Sequence, residues 1–489
     1  MEFQNRVREL QGLARVLPSS GAHLLVLYGR RRVGKTELLR HFYASRPHVY
    51  YMGTQSGTSL HVRGLSERIG KLWQDRFLSH TAPTDWESLF NYLAQQTQPL
   101  DLILDEFPYL CEADPSLPSL LQRFWDHHGK DGQIRLTLCG SSVSFMEEQV
   151  LSERSPLFGR RTAQMLLLPM TVWDVGGFLP NYGLPQLVEA YACFGGIPAY
   201  LVKLEPSRPL GYNLQEHILD PLSYLYDEPR LLLQQELREP RIYFSVLRAI
   251  AGGRTRLNDI SQECQLPNPT VARYLDQLIR LQLVERRVPV TERPHNSRKG
   301  LYRIQDPFLR FWFRFVQTNL SELEYSRAEE VYETQIAPEL NHFVGPVFEE
   351  ICRQWMARNP ENLPFRARHI GAWWDREHEV DIIAHDAENV FFGECKWSDQ
   401  PATGAALQQL ARNSAAVPGF ERHRKFYGIF SKSGFAEGLE SCLKFDLNQI
   451  LQAGADDPED AIDRLKQLRQ AGQGSSGGRK ISREEAYER

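Results

Sequence analysis

The feature that most limits what this chain can become is a short stretch near its start, LLVLYGRRRVGKTELLRHF. The apolar run Leu24 to Tyr28 reads as a buried strand, and Thr36 to Phe42 has the spacing of a helix. Between them lies Gly29-Arg30-Arg31-Arg32-Val33-Gly34-Lys35-Thr36, a complete G-x-x-x-x-G-K-[ST] phosphate loop. Its order follows from its chemistry. Gly29 and Gly34 let the backbone wrap a polyphosphate, so that N–H groups and the following helix N-terminus point at the anion. Lys35 reaches the β- and γ-phosphates, and the Thr36 hydroxyl can ligate Mg²⁺. A chain that carries this loop between a strand and a helix is predicted to be an α/β protein that binds a nucleoside triphosphate with Mg²⁺.

The segments after the loop agree with that prediction. HVYYMG (His48 to Gly53) reads as a second strand and Thr58 to Phe77 as a helix. LDLILDEFPYL is a buried strand ending in Asp105-Glu106. Carboxylates at the C-terminal end of a parallel strand share the crevice of the phosphate loop. Asp105 is therefore the expected partner of Mg²⁺, and Glu106 the residue that polarises the attacking water. RLTLCGSS is another strand; Ser141 or Ser142 either senses the γ-phosphate or simply ends the strand in a turn. Arg154, Arg160 and Arg161 precede an apolar strand at Met165 to Leu168. Arg160 and Arg161, at the mouth of the strand, fit an arginine finger in a neighbouring subunit, or equally a solvated basic turn. Alternating strands and helices from residue 21 to about 170 give a doubly wound parallel sheet.

Length and composition set the frame. A chain of 489 residues exceeds a single core, and 42% hydrophobic with 24% charged residues is ordinary for globular protein. A net charge of −4 excludes a globally basic nucleic-acid coat and leaves local basic faces open. The seven scattered cysteines have neither metal-knuckle nor redox spacing, so reduced thiols without zinc are expected. The first ten residues lack a signal-peptide core, and MLLLPMTVWDVGGFL is too short and interrupted to span a membrane. A cytoplasmic protein is expected.

The order GRRRVGKT, LILDEFPYL, LCGSS, SPLFGRRT and FGGIPAYL resembles the archaeal-type ATPase family, a branch allied to STAND and AAA+ proteins. The resemblance covers most of residues 1–235. It implies a P-loop core over 1–175 and a helical lid subdomain over 176–238. Gly196-Ile197-Pro198 matches the family's GxP element, which implies that Pro198 contacts the nucleotide. FQNRVREL resembles the GRExE-like box that packs by the adenine, with Arg6 and Glu9 matching and Asn5 standing where the family has glycine.

Residues 239–320 change character. Three amphipathic helices and a basic hairpin make a winged helix-turn-helix, with basic residues outnumbering acidic ones roughly two to one. Thr270, Arg273 and Tyr274 on the third helix are placed to approach a groove of DNA, and Arg298 and Lys299 in the wing to meet phosphates. The other reading is a lid packed on the ATPase core. Over 321–450 a helix carrying Glu349 and Glu350 is followed by strands carrying Asp381 and then Glu394-Cys395-Lys396. This set resembles the PD-(D/E)xK nuclease superfamily, of restriction-endonuclease-like α/β fold, and GAWWDREHEVDII, GECKW and FSKSGF resemble the nuclease-like domain fused to these ATPases. The resemblance implies Mg²⁺ held by Asp381, Glu394 and Glu349, with Lys396 acting on the water. Edge-strand charges facing solvent are the other reading. Residues 451–489 read as a surface helix and tail. The whole points to an ATP-hydrolysing, DNA-acting protein that controls a nuclease-like domain, with self-assembly as one use of its arginines; a STAND-type switch or a transcription regulator is the alternative.

Overall fold

A computed structural model of the protein describes residues 3–17, 21–237, 239–293 and 297–452. The tail expected beyond Gln452 and three residues at the wing tip lie outside them. Five strands form the first sheet: β1 His23–Tyr28, β2 Val49–Met52, β3 Leu100–Asp105, β4 Ile134–Gly140 and β5 Ala163–Leu166. Their order is β2-β3-β4-β1-β5, and every pairing is parallel. β1, β3 and β4 are buried almost throughout, which is why they read as unbroken apolar runs rather than alternating ones. The register sets Tyr28 beside both Gly140 and Leu166, and Leu104 beside Leu138. The loops after β1, β3 and β4 therefore leave from one edge of the sheet. Two boundaries differ from expectation. The last strand runs from Ala163 to Leu166 because the chain then turns back over the phosphate loop. The helix from Thr58 stops at Trp73, where Gln74 adopts a left-handed backbone, and a short helix comes next at Arg76–His80.

Helices Leu184–Phe194 and Glu228–Glu236 belong to the segment that covers this edge. The next module has helices Pro240–Ala251, Leu257–Cys264 and Asn268–Arg280 and an antiparallel hairpin, β6 Val284–Arg287 with β7 Leu301–Ile304. It is the expected helix-turn-helix with a wing. Buried Phe308, Phe311, Trp312, Phe313, Phe315 and Val316 then tie it to the C-terminal module.

That module opens with helix Leu340–Arg358. Its sheet comprises β8 His369–Trp374, β9 Glu379–His385, β10 Asn389–Lys396, β11 Arg424–Ser431 and β12 Leu443–Asp446. They lie in the order β12-β11-β10-β9-β8, antiparallel across β8, β9 and β10 and parallel across β10, β11 and β12. Helix Gly404–Ala415 crosses between β10 and β11. One continuous apolar core runs from the first sheet through the lid and winged helix to one face of this second sheet; the other face has a smaller core of its own around Phe392, Ile429 and Leu410. Apolar burial at roughly 25 cal/mol per Å² thus binds the modules to one another as well as internally.

Candidate nucleotide site and C-terminal carboxylate site

The phosphate loop forms as the sequence requires. Gly29 has a φ of 154°, and a Cβ there would lie 2.4 Å from the Leu167 carbonyl oxygen, so the segment leaving β5 closes over the loop only because no side chain intervenes. Gly196 is needed for the same reason: a Cβ would sit 1.8 Å from the Met170 oxygen, and the Met170 amide donates to the Gly196 carbonyl at 2.7 Å. Pro198, two residues on, packs over Gly34, where a Cβ would be 3.8 Å from Pro198 Cγ. Arg6 donates to the Val33 carbonyl at 2.9 Å and to Glu9 at 2.7 Å. Asn5 takes a left-handed φ of 54°, which asparagine tolerates better than most side chains where the family has glycine.

Lys35 is buried, and its ammonium donates to the carbonyls of Gly29 at 2.8 Å and Arg30 at 2.9 Å. Burial pushes its pKa below the ordinary value. Thr36 Oγ1 donates to Asp105 Oδ2 at 2.9 Å, and the Tyr50 hydroxyl donates to the same oxygen. Thr36 Oγ1 and Asp105 Oδ2 are the hard donors Mg²⁺ takes. Glu106 begins the next helix with a left-handed φ of 49°, a strained geometry of the kind that persists at functional sites. Ser141 Oγ donates to Glu106 Oε2 at 2.8 Å, holding that carboxylate from the end of the adjacent strand. Ser142 instead accepts from the Phe145 amide as a helix cap.

Sequence reasoning missed the carboxylates that face the three loop arginines. Arg30 pairs with Asp306 at 2.6 Å, both side chains nearly fully buried. Burial lowers the Arg30 pKa, but Asp306 outweighs it and the net shift is upward. Asp306 caps helix Pro307–Phe311 with its other oxygen. Arg31 faces Glu236 at 3.8 Å and donates to the Tyr109 hydroxyl at 3.2 Å. Arg32, at φ 68°, pairs with Glu228 and stacks on Tyr224. The available signal was that three arginines in such a loop, next to a fold interior, require counter-charges from elsewhere.

Arg160 and Arg161 lie before β5, whose first residue pairs beside Leu25, toward the edge of the sheet opposite the phosphate loop. Arg160 is held by Asp126 at 2.8 Å, and Arg161 donates to the Leu151 carbonyl at 3.2 Å.

In the helix-turn-helix, Arg273, Arg298 and Lys299 are exposed and Thr270 is half-buried. Lys299 pairs with Glu292 at 2.9 Å. Tyr274 corrects the expectation that it approaches a groove: it is buried, and its hydroxyl donates to Glu239 at 2.5 Å. The third helix also leans on the ATPase core, with Gln277 donating to Ser144 at 2.7 Å. The stem of the wing docks on the C-terminal sheet, where the Val290 amide donates to the Ala372 carbonyl at 2.9 Å and Arg287 pairs with Glu350 at 2.9 Å.

In the C-terminal module, Gly371 faces Ile383 and Trp373 faces Val380, so β9 carries one residue more than β8 across that interval. Such a bulge re-aims a side chain, and Asp381 lies within it. Asp381 Oδ2 accepts the Cys395 amide at 2.8 Å. Burial, then Glu349 and Glu394, pushes its carboxyl well above the usual range. Glu394 and Lys396 share a strand face and pair at 2.6 Å. Glu349 lies 3.7 Å from Arg353, whose guanidinium donates to the Asp381 carbonyl at 2.8 Å. Cys395 is half-buried beside Cys352, as a core residue. Among the described residues no three His, Cys, Asp or Glu side chains are drawn together tightly enough to cage a metal as they stand. A cavity of about 620 Å³ opens where the three modules meet, with Arg30 in one wall and Glu349 and Glu379 in another.

A parallel sheet, a wrapped G-x-x-x-x-G-K-T loop and Asp105-Glu106 at its mouth define the class: a P-loop ATPase carrying a helix-turn-helix. Comparison with known proteins agrees. A family model described as an ATPase domain predominantly from Archaea matches residues 3–204, an IclR helix-turn-helix domain matches 242–288, and a family of archaeal and bacterial proteins of unknown function matches 312–409. The uncharacterized protein MJECL04 of Methanocaldococcus jannaschii is 34% identical over 455 residues, which is 92% of this chain and 100% of that protein. The chain belongs to this family of archaeal-type ATPases. Among solved structures, the Walker-type ATPase PABY2304 of Pyrococcus abyssi is 20% identical with a TM-score of 0.45, over 64% of this chain and 96% of that one. The Aeropyrum pernix ORC2 protein is 16% identical with a TM-score of 0.41, over 66% and 96%. No helix among the described residues is long and apolar enough to cross a membrane.

Proposed function

We propose that the protein binds and hydrolyses Mg-ATP, acts on DNA, and uses its C-terminal module as a metal-dependent nuclease governed by the ATPase. In the ATPase step, Thr36 and Asp105 hold the metal side of the site, Lys35 exchanges its two carbonyl partners for phosphate oxygens, and Glu106 orients the water. Mg²⁺, when bound, would supply charge neutralisation to the phosphates. The exposed Arg273, Arg298 and Lys299 supply phosphate contacts for a duplex.

The observation that carries the nuclease reading is the state of Asp381. A bulge turns it into a half-buried place where Glu349 and Glu394 act on it electrostatically and its carboxylate receives one backbone N–H. Oxygen donors with excess negative charge are what a hard divalent cation completes. Lys396, next to Glu394, is placed to orient the attacking water. One observation favours a second reading, a nucleotide switch whose C-terminal module only binds DNA: the carboxylates are not gathered into a cage as they stand.

The test is phosphate release from ATP with Mg²⁺, together with cleavage of plasmid and of single-stranded, double-stranded and branched oligonucleotides with Mg²⁺ or Mn²⁺, with and without ATP. Wild type is expected to cut at least one substrate and Glu394→Ala none. Binding without cleavage by either protein selects the second reading.

A further inference from the structure

The helix Glu228–Glu236 lies across the phosphate loop and is held at both ends by arginines of that loop. Glu228, its first residue, takes Arg32 and also accepts the Tyr200 hydroxyl at 2.6 Å. Glu236, its last, faces Arg31. The two carboxylates are almost entirely buried, at 0% and 4% side-chain exposure. Their bonding is incomplete. Glu228 Oε2, Glu236 Oε1 and Arg31 Nε are buried without a hydrogen-bond partner, and the last two face each other at 3.8 Å, close enough to attract and too far to bond. Glu236 also acts electrostatically on Lys35, the residue that reaches for the phosphates. Arg32 holds a left-handed backbone that an arginine adopts only when its surroundings impose it, and Glu228 and Tyr224 are those surroundings.

We propose that Glu228 and Glu236 are positioning residues of the ATPase site, which hold Arg32 and Arg31 while the site is empty, and that the triphosphate displaces Glu236 from Arg31 and so frees the helix they bracket. The proposal rests on the Mg-ATP reading above. Glu236 is the weaker latch and opens first, since its contact lacks a hydrogen bond. Glu228 stays on Arg32 and keeps the loop in shape. Pro240 opens the first helix of the winged module directly after this strap, so its release is transmitted to the DNA-binding face. A ligand shifts such an equilibrium only by its differential affinity for the two states, and competition for Arg31 supplies that difference.

The test compares full-length wild type, Glu236→Gln and Glu228→Gln. Titration with fluorescent non-hydrolysable ATP gives Kd, turnover gives KM and kcat, and thermal unfolding gives Tm. Without its competitor, Glu236→Gln is expected to bind about fivefold or more tightly, within the usual range of a coupling free energy. Its KM should fall with Kd, whatever happens to kcat. Glu228→Gln, which loosens Arg32, should bind more weakly. A merely structural role would lower Tm and leave Kd unchanged or weaker in both variants; that outcome overturns the proposal. Should Glu236→Gln fail to fold, hydrogen exchange of wild type decides: Mg-bound analogue should speed exchange in residues 228–236, and protection there overturns the proposal. Tight binding without turnover removes the hydrolysis reading and leaves this one standing, whereas absence of nucleotide binding removes both.

Discussion

At the phosphate loop every cation has an anion or a carbonyl opposite it, while around Asp381 acids press on one another. Lys35 rests on two carbonyls, and Arg30, Arg31 and Arg32 face Asp306, Glu236 and Glu228. Lys396 is committed to Glu394 and Arg353 lies between Glu349 and Glu350, so the Asp381 carboxylate relies on one amide. The first site is balanced inside the protein, so a nucleotide must exchange one set of partners for another. The second crowds carboxyl groups together, and in the proposed reading a divalent cation from solution completes it. An exchange can be felt at a distance, because the displaced partners belong to other modules. A completion is felt locally.

Substitutions at the two sites, and one titration, break or sharpen this contrast. Lys35→Ala removes the cation that the phosphates would recruit; turnover is expected to fall by about 10²–10³-fold, read as phosphate release. Asp381→Ala and Lys396→Ala should each abolish divalent-dependent cleavage, a loss of roughly 10²–10⁴-fold on gels, with ATP turnover untouched. Cleavage that survives both would place the chemistry elsewhere. Arg30→Ala leaves Asp306 buried without its partner, and breaking such a pair costs about 3–5 kcal/mol. Urea unfolding should show that loss, and Arg30→Ala with Asp306→Ala together should lose less than the sum of the two.

The remaining effects are smaller. Burial pushes the Glu236 carboxyl above its ordinary value, against Arg31, Arg30 and Lys35 and with Glu106. A carboxyl whose folded pKa is raised contributes stability that is complete below its unfolded value and is lost as pH rises through the folded one. Wild type should therefore lose stability relative to Glu236→Gln as pH climbs above the ordinary carboxyl value of 4.5, a change small beside that at Arg30, measured by unfolding between pH 4 and 8. Last, Arg273→Ala should weaken duplex binding uniformly across sequences and reduce the salt slope by about 1.

The placement of the phosphate loop, Asp105, Glu106 and Pro198 was legible because it comes from backbone constraints and strand ends, which are local. That Glu394 and Lys396 share a strand face was legible too, since they stand two positions apart on one strand. Ser141 was named, but its partner was not: whether it meets a phosphate or Glu106 depends on how β3 and β4 align. Tyr274 was misplaced because a helix's spacing gives its faces without saying which face is covered. Tyr50, Glu228, Glu236 and Asp306 left no pattern, since each is far in sequence from the residue it serves.

The sequence by itself determined that a strand feeds a phosphate-binding turn and a helix leaves it, because G-x-x-x-x-G-K-T admits few backbones. It also determined the helix-turn-helix, through periodicity and turn residues, and the composition of the C-terminal acidic set. Only the tertiary structure decided what the loop arginines do. Charge attracts across space rather than along the chain, and burial makes each arginine find a carboxylate wherever the fold brings one. Here the fold brings them from the lid helix and from beyond the winged helix, and so it joins the nucleotide loop to the rest of the molecule.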